Sequence, residues 1–357
     1  MLITQCLIES RTINLNKCKD KALSLSTGRV IQANSHYVRF IRFFKMKAIS
    51  EFILGIQYLL VNISKIDSSY IIVDRTNWKR GVKNINLLTI GGLSCGIFLP
   101  LFWLQLNKQG NSNFEDRKQL IERFIKLLKK KCIDTASMIL LADREFIGAE
   151  WFKYIVEQEL HFVIRLKAKM YFDLQTHEGK KRTSLKYFNK YVDQFGIYAI
   201  PMKLNGCSYS FVIIKNPKHD PKEPYIYFIS DLKDAKAIAN HYLKRWKIES
   251  AFKHLKTNGF NIENANLKND LKIELLMAIV VFAYVIAVKE GLLKINTIKM
   301  KKYNNGKTFL SISVFRTGYT ILQALCKTIN QFIEYIESLI LYDTINPNEF
   351  NSCSGFV

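Results

Sequence analysis

The first part of the chain carries hydrophobic and polar positions that repeat at helical spacing. In the segment SHYVRFIRFFK, Val38, Ile41 and Phe44 fall on one face of a helix, whereas Arg39 and Arg42 fall on another. The pattern predicts an amphipathic helix with a basic face. Two interpretations stay open, an ordinary surface helix and the second helix of a helix-turn-helix unit.

From about residue 69, short apolar runs of strand length replace the helical periodicity. SYIIVD, INLLTIGGLSCG and IFLPLFWLQL predict three consecutive strands. A helix (FEDRKQLIERFIKLLKKK), a strand (SMILLAD), a second helix (FIGAEWFKYIVEQE) and a last strand (HFVIRLK) follow. Asp74 closes the first strand and Asp143 closes the fourth. This is the order of a ribonuclease-H-like fold, in which those two strands are neighbours at the centre of a mixed five-stranded sheet.

A second β-rich segment precedes the return of helical sequence at 232. FGIYAIPMKLNG and CSYSFVIIK predict a hairpin around Asn205 and Gly206, and YIYFISD predicts a further strand. We therefore expect an α/β protein with four parts. These are a helical N-terminal region (1–65), a ribonuclease-H-like catalytic core (66–168 and 231–300), a β-rich insertion (169–230) and a helical C-terminal region (301–357).

One apolar run, Leu275–Val288, is long enough to raise the question of a membrane span. A transmembrane helix needs about 20 apolar residues, and this run is shorter. The run therefore predicts a helix buried in the protein core, and no membrane association is expected.

The chain of 357 residues is strongly basic, with 53 lysines and arginines against 30 acidic residues, a net charge of +23. Such an excess favours a polyanionic partner, and nucleic acid first among them. An AT-rich gene would also raise the lysine content, so the positions of the charges have to decide. Seven scattered cysteines without a CxxC pair argue against a disulfide framework or a zinc site, and are typical of a reducing compartment.

The segment YLKRWKIESAFKHLKTNG is basic but keeps one acid, Glu249. At helical geometry, Tyr242, Arg245, Glu249 and Lys256 fall within an arc of about 60°. Three of these side chains bind phosphate well, so an acid among them can complete a metal site while its neighbours hold a nucleic acid backbone.

Asp74, Asp143 and Glu249 together provide the oxygen ligands that Mg²⁺ prefers. Two such ions stabilise the attacking and the leaving oxygen of a phosphoryl transfer. Each acid alone has an ordinary explanation, a turn residue for the aspartates and a helical ion pair for the glutamate. Their combination at these places predicts a metal-dependent site.

The spacing Y-x2-R-x3-E-x6-K, from Tyr242 to Lys256, resembles the YREK motif of bacterial insertion-sequence transposases of the DDE class, the IS-four family. VDRTNWKRG around Asp74 resembles the first-aspartate motif of that family, and LADREFIG around Asp143 resembles the second. GNSNFEDR between them is also similar to sequences of the group. The resemblance covers about 65–300.

The resemblance implies that Asp74, Asp143 and Glu249 hold two Mg²⁺ ions, for which Mn²⁺ can substitute. It implies cut-and-paste transposition of an insertion sequence, in which double-stranded DNA is nicked at the 3′ ends of the element and those ends are transferred to target DNA. A homodimer would hold the two ends together, in the cytoplasm of a bacterium and in association with its nucleoid.

The resemblance also implies that Tyr242, Arg245 and Lys256 contact DNA phosphates near the cleaved end. The short N-terminal region is a candidate for end recognition, with Arg39 and Arg42 as its DNA-binding residues. The C-terminal helix TINQFIEYIESLILYD is a candidate for dimerisation, and packing on its own domain is the alternative.

The β-rich segment resembles the insertion domain of the family, in which an aromatic side chain stacks on a flipped base. Tyr225, Tyr227 and Phe228 are the candidates, and Glu145 is expected to be structural. Two other functions stay open. A structure-specific nuclease of the same fold would share the acids, and a decayed or domesticated DNA-binding protein would bind without cutting.

Overall fold

The computed structural model describes residues 1–22, 31–66, 69–176, 179–204, 206–302, 306, 308–325 and 327–345. Asn205 of the predicted hairpin and the last part of the predicted C-terminal region lie outside the described residues.

The described residues of the N-terminal region form four helices. They are α1 (Leu2–Ser10), α2 (Leu15–Ala22), α3 (Ala33–Phe43) and α4 (Ile49–Ser64). The predicted apolar face of α3 is correct only in part. Phe44 is buried as predicted, but Val38 is 45% exposed, and Phe40, which was not placed on that face, is buried instead. Apolar residues surround much of this helix, so periodicity alone could not select the face that packs.

The core sheet begins with the antiparallel strands β1 (Tyr70–Arg80), β2 (Lys83–Ser94) and β3 (Ile97–Gln105). After α5 (Phe114–Lys130), strand β4 (Ile139–Ala142) pairs parallel with β1. After α6 (Ala149–Glu157), strand β5 (His161–Arg165) pairs parallel with β4. The order β3-β2-β1-β4-β5 is that of a ribonuclease-H-like sheet and confirms the predicted fold class.

Strand β1 is longer than its apolar part suggests. The sequence predicted an end at Asp74, but the strand continues to Arg80 in a hairpin with β2. Only its parallel pairing with β4 stops near the predicted point, with Val73 opposite Ala142. The extension escaped prediction because its residues are mostly polar, as expected for strands that face solvent.

The predicted insertion contains a separate hairpin, β6 (Tyr171–Thr176) and β7 (Gly179–Ser184), and the helix α7 (Asn189–Phe195). Its strands β8 (Ile197–Leu204), β9 (Cys207–Lys215) and β10 (Tyr225–Ser230) then extend the core sheet, because β10 pairs antiparallel with β5. The result is one eight-stranded sheet, β3-β2-β1-β4-β5-β10-β9-β8.

The rest of the chain is mainly helical, with α8 (Ala235–Leu243), α9 (Lys247–Leu255) and α10 (Asp270–Leu293) before a small hairpin of β11 (Met300–Lys302) and β12 (Thr308–Leu310). Two helices, α11 (Val314–Leu325) and α12 (Ile329–Ile345), are the last elements of the described residues.

Helix α10 is the central helix of the core. Its length and apolar composition would allow it to cross a membrane, but 83% of its most apolar stretch is buried inside the protein. It packs against α4, α11 and β3. The predicted apolar run is therefore the middle of a 24-residue core helix.

Candidate catalytic site

Two aspartates lie together where β1 and β4 part. Val73 and Ala142 form the last parallel pair of these strands, and Asp74 and Asp143 follow directly. Neighbouring parallel strands end at the same edge of a sheet, which is why the two carboxylates share one location. The structure therefore confirms that the two acid-bearing strands are adjacent.

Helix α9 brings Glu249 to the same edge through an arginine. Arg245 Nη1 donates to Asp74 Oδ2 at 2.8 Å, and Arg245 Nη2 donates to Glu249 Oε1 at 2.8 Å. Arg245 is only 4% exposed, and its Nε is buried without a hydrogen-bond partner among the described residues. A single buried guanidinium therefore joins two of the three predicted acids.

Burial sets the protonation of this group. It raises the pKa of Asp74 to about 6, and Arg245 together with the Arg75 backbone N–H offsets part of that rise. Burial would lower the pKa of Arg245, but Tyr242 and the surrounding carboxylates, Asp74 first among them, hold it above its usual range. Arg245 is thus always charged, whereas burial disfavours the ionised form of Asp74.

Asp143 has different partners. Tyr242 donates its hydroxyl hydrogen to Asp143 Oδ1 at 3.2 Å, and Arg165 Nη1 lies 3.9 Å from the same oxygen. Tyr242 is fully buried, which raises the pKa of its phenol. Its hydroxyl is therefore a neutral donor that orients the Asp143 carboxylate.

Glu145 is part of the supporting structure, as expected from the sequence. Its carboxylate accepts hydrogen bonds from Arg75 Nε at 3.0 and 3.1 Å, and from the backbone N–H and hydroxyl of Ser112 at 3.1 Å each. Arg117 donates to the Glu145 carbonyl oxygen. The segment GNSNFEDR and the first-aspartate motif thus hold in place the turn that follows Asp143.

The four residues of the Y-x2-R-x3-E-x6-K motif do not lie on one continuous α-helix. Tyr242 belongs to α8, Arg245 lies in a 3-10 turn (Lys244–Trp246), Glu249 belongs to α9, and Lys256 follows the end of α9. The expected common arc assumed 100° per residue, whereas a 3-10 turn advances by about 120° per residue. The break turns Arg245 inward, toward the acids.

The predicted DNA-binding residues occupy three different environments. Tyr242 and Arg245 are buried against the acids, whereas Lys256 binds Glu263 Oε1 at 2.9 Å and the Asn77 carbonyl oxygen at 3.3 Å. Arg39 and Arg42 are exposed on α3. For all five residues, contact with DNA stays a prediction.

The donor set fits a divalent metal ion, although its three carboxylates stand apart from one another. Within the part of the chain that the structure describes, no three His, Cys, Asp or Glu side chains are close enough to share a metal ion. Arg245 lies between Asp74 and Glu249 and explains the separation. A cation would favour the ionised form of half-buried Asp74, and carboxylates are the ligands that hard divalent ions take.

Two residues near the acids were missed in the sequence. Arg165 is the last residue of β5, and Asp143 directly follows β4. Because these parallel strands end at the same edge of the sheet, the sequence could have predicted that Arg165 lies near Asp143. Glu223, which pairs with Arg165 at 2.6 Å, lies in a loop with no pattern that pointed to it.

Two comparisons with known proteins returned matches. Residues 69–286 match a family model described as "Transposase DDE domain", a range that contains Asp74, Asp143 and Glu249. The chain is also similar to a solved structure titled as a cryo-EM structure of a piggyBac transposase synaptic complex with hairpin DNA. The identity is 12%, the alignment covers 98% of this chain and 75% of that chain, and the TM-score is 0.44.

A search of curated proteins returned no significant match. The family match spans more than half of the chain and contains the three acids at the sheet edge. The chain therefore belongs to the transposase DDE domain family and is an enzyme that acts on DNA.

Proposed function

We propose that this transposase nicks the 3′ ends of an insertion sequence and transfers them to target DNA, as in cut-and-paste movement. The observation that carries the proposal is the pair of buried side chains that bind the acids. Arg245 joins Asp74 to Glu249, and Tyr242 donates to Asp143. This arrangement occurs at the carboxyl edge of two central strands, in a chain of the transposase DDE family.

Asp74, Asp143 and Glu249 would hold the metal, Mg²⁺ or in its place Mn²⁺. The bound ions would supply charge stabilisation to the attacking and leaving oxygens of the phosphoryl transfer. Tyr242 keeps the Asp143 carboxylate oriented through a neutral hydrogen bond. Arg245 compensates the charge of two acids in the free protein, and its fork of donors is suited to a DNA phosphate once the metal binds Glu249.

DNA enters from the exposed side of the site. Glu249 and Lys256 are the more accessible members of the Y-x2-R-x3-E-x6-K motif, with side-chain exposures of 46% and 23%. Lys256 also lies above the Trp78 ring at 5.7 Å, so it can reach a backbone phosphate beside the extended end of β1. Element ends and target DNA are the two proposed substrates, in the bacterial nucleoid.

We further propose that a homodimer pairs the two ends of the element. Helix α12, the sequence candidate for dimerisation, packs on α1 and α4, with Phe332 and Ile336 buried and the Tyr335 hydroxyl bound to Glu290. Dimerisation through this helix would need its outer face, where Ile333 is exposed. Light scattering with and without end DNA measures the assembly.

The deciding experiment is a cleavage assay on labelled DNA that carries the sequences flanking the gene. We expect Mg²⁺-dependent nicking at the element boundary and a joined product with target DNA. Asp143→Asn should lower cleavage by about 100-fold or more, since a metal ligand is lost. Asp134→Asn, an exposed aspartate before β4, is the matched control and should cleave normally.

Two other results would replace this function. Cleavage of branched DNA without regard to the element boundary would favour the structure-specific nuclease. Binding without metal-dependent cleavage would favour a decayed or domesticated DNA-binding protein.

A further inference from the structure

A strongly basic pocket of about 570 Å³ lies beside the candidate catalytic site, where β5 ends and β10 begins. Six cationic side chains line it, namely Arg144, Arg165, Lys167, Lys169, Lys186 and Lys222. Among its described lining residues, Glu223 is the one carboxylate. The excess of positive charge indicates a site for an anion with several charges.

The Glu223 carboxylate shows how an oxyanion binds in this pocket. Arg165 Nη2 donates to Glu223 Oε2 at 2.6 Å, and Arg144 Nη1 donates to Glu223 Oε1. Each oxygen thus has its own guanidinium. Arg165 is also 3.9 Å from Asp143 Oδ1, so the bound oxyanion is one side chain away from an acid of the candidate site.

The loop that carries Glu223 is anchored independently of this ion pair. It joins β9 to β10, and Asn216 binds the carbonyl oxygens of Glu223 and Pro224 at 2.8 Å. Lys218 Nζ lies 4.2 Å from the centre of the Trp246 ring, beside Arg245. The backbone of Glu223 is therefore held in place, and its side chain can leave the two arginines by rotation alone.

We propose that Arg144 and Arg165 form a binding site for a DNA backbone phosphate next to Asp143, and that Glu223 occupies this site until DNA displaces it. The inference rests on the proposed function, because it places the phosphate on the strand that is cut. A phosphodiester presents two oxygens to a guanidinium pair as a carboxylate does. The lysines of the pocket continue the path of the strand away from the acids.

The exchange is favourable for two reasons. Glu223 is 37% exposed at its side chain, so its ion pairs contribute little in water and are easily replaced. A DNA strand also meets the pocket lysines in addition to the two arginines, and it releases counterions on binding. The glutamate therefore lowers DNA affinity in general without closing the site.

The test is the affinity for a labelled duplex that carries the sequences flanking the gene, measured by fluorescence anisotropy in EDTA. Glu223→Gln should lower the Kd by about threefold to tenfold, because one repulsive charge leaves and both arginines are released. Asp193→Asn is the matched control, since Asp193 pairs with Lys215 and Tyr225 but not with these arginines. It should change the Kd by less than about twofold.

Arg165→Gln should weaken binding and reduce the salt slope by about one, the value for one lost phosphate contact. Equal affinities for Glu223→Gln and Asp193→Asn would overturn the proposal, as would an unchanged salt slope in a folded Arg165→Gln variant. If that variant does not fold, the comparison of Glu223→Gln with Asp193→Asn decides alone.

Binding in EDTA does not depend on cleavage, so the two proposals fail separately. In one case, Glu223→Gln binds DNA more tightly but the wild-type protein does not cut DNA with Mg²⁺. That result would contradict the proposed function and support the phosphate site. In the other case, the wild-type protein cuts at the element boundary, but Glu223→Gln and Asp193→Asn bind DNA with equal affinity. That result would contradict the phosphate site and support the proposed function.

Discussion

At the residue scale, the most informative side chain is Arg245, which the sequence placed among DNA contacts and the structure places between two acids. A buried charge needs a partner, and Asp74 and Glu249 provide it at 2.8 Å each. The free protein thus holds its acids together with an internal cation. The motif spacing singled out the residue, but only the packing of α9 on the sheet shows which partners it has.

Asp74 should make the stability of the protein depend on pH. Its folded-state pKa is about 6 against an ordinary value of 3.8, so between those values the unfolded chain has lost a proton that the folded protein keeps. This group therefore lowers the free energy of unfolding as pH rises from about 4 to about 6, by about 3 kcal/mol in total. Asp74→Asn should remove that fall.

Urea unfolding at several pH values, without divalent ions, measures the effect. Asp134→Asn is the control, because Asp134 is exposed, and it should keep the wild-type pH dependence. The assignment is wrong if Asp74→Asn loses stability with rising pH as steeply as the wild type does.

Tyr242 tests whether the orientation of Asp143 matters for activity. Tyr242→Phe removes one hydrogen bond and should cost about 1 kcal/mol of stability. It should also lower metal-dependent cleavage by about tenfold, because Asp143 loses its orienting donor. Tyr284→Phe is the matched control, since the Tyr284 hydroxyl is equally buried but donates to the Phe98 carbonyl oxygen.

Thermal unfolding and cleavage are measured on both variants. If both variants lose a similar amount of stability but only Tyr242→Phe loses cleavage, the result would support the role of Tyr242 in orienting Asp143. Equal cleavage by the two variants would contradict it.

At the element scale, the sheet and its helices are largely predictable, whereas the joints between helices are not. The apolar runs located all five core strands, because buried parallel and central strands need continuous hydrophobic sequence. The 3-10 turn at Lys244–Trp246 had no such signal. It follows from the need to pack α8 and α9 on the same sheet.

Helices α10 and α11 are in contact through glycine, which gives an element-scale prediction. A Cβ atom at Gly318 would lie 1.8 Å from the Ala287 carbonyl oxygen and 2.4 Å from the Gly291 nitrogen. Gly318→Ala must therefore push the helices apart and should cost about 2 kcal/mol or more. Gly55→Ala, in α4, meets nothing within 4 Å and should be neutral or stabilising.

Chemical denaturation compares the two variants with the wild type. Equal stabilities would mean that α10 and α11 are not in the close contact that the structure shows.

At the scale of the whole molecule, the insertion and the core share one sheet. The sequence predicted a β-rich segment at 169–230, and three of its strands continue the core sheet through β10 and β5. Strand pairing between distant segments leaves little trace in either segment alone, so this continuity was not predictable. It also places the basic pocket of Arg144 and Arg165 beside Asp143.

The net charge of +23 should make DNA binding strongly dependent on salt. If about six to ten phosphates are contacted, affinity should fall by roughly 10³- to 10⁵-fold between about 50 and 200 mM salt. Anisotropy titrations across this range, with a duplex of fixed length, measure the slope. A shallow slope would mean that the lysine excess reflects gene composition rather than a DNA-binding surface.

The sequence by itself determined the fold class, the two aspartates at neighbouring strand ends and the motif that contains Glu249. These features are local, because apolar runs, strand ends and residue spacing each depend on a short stretch of sequence. Only the tertiary structure decided that Arg245 lies between the acids, that β1 extends to Arg80 and that Glu223 covers two arginines. Those facts depend on contacts between distant segments. Arg245 is buried, where the low dielectric requires a charged partner, whereas the end of β1 and the Glu223 carboxylate find their partners near the solvent.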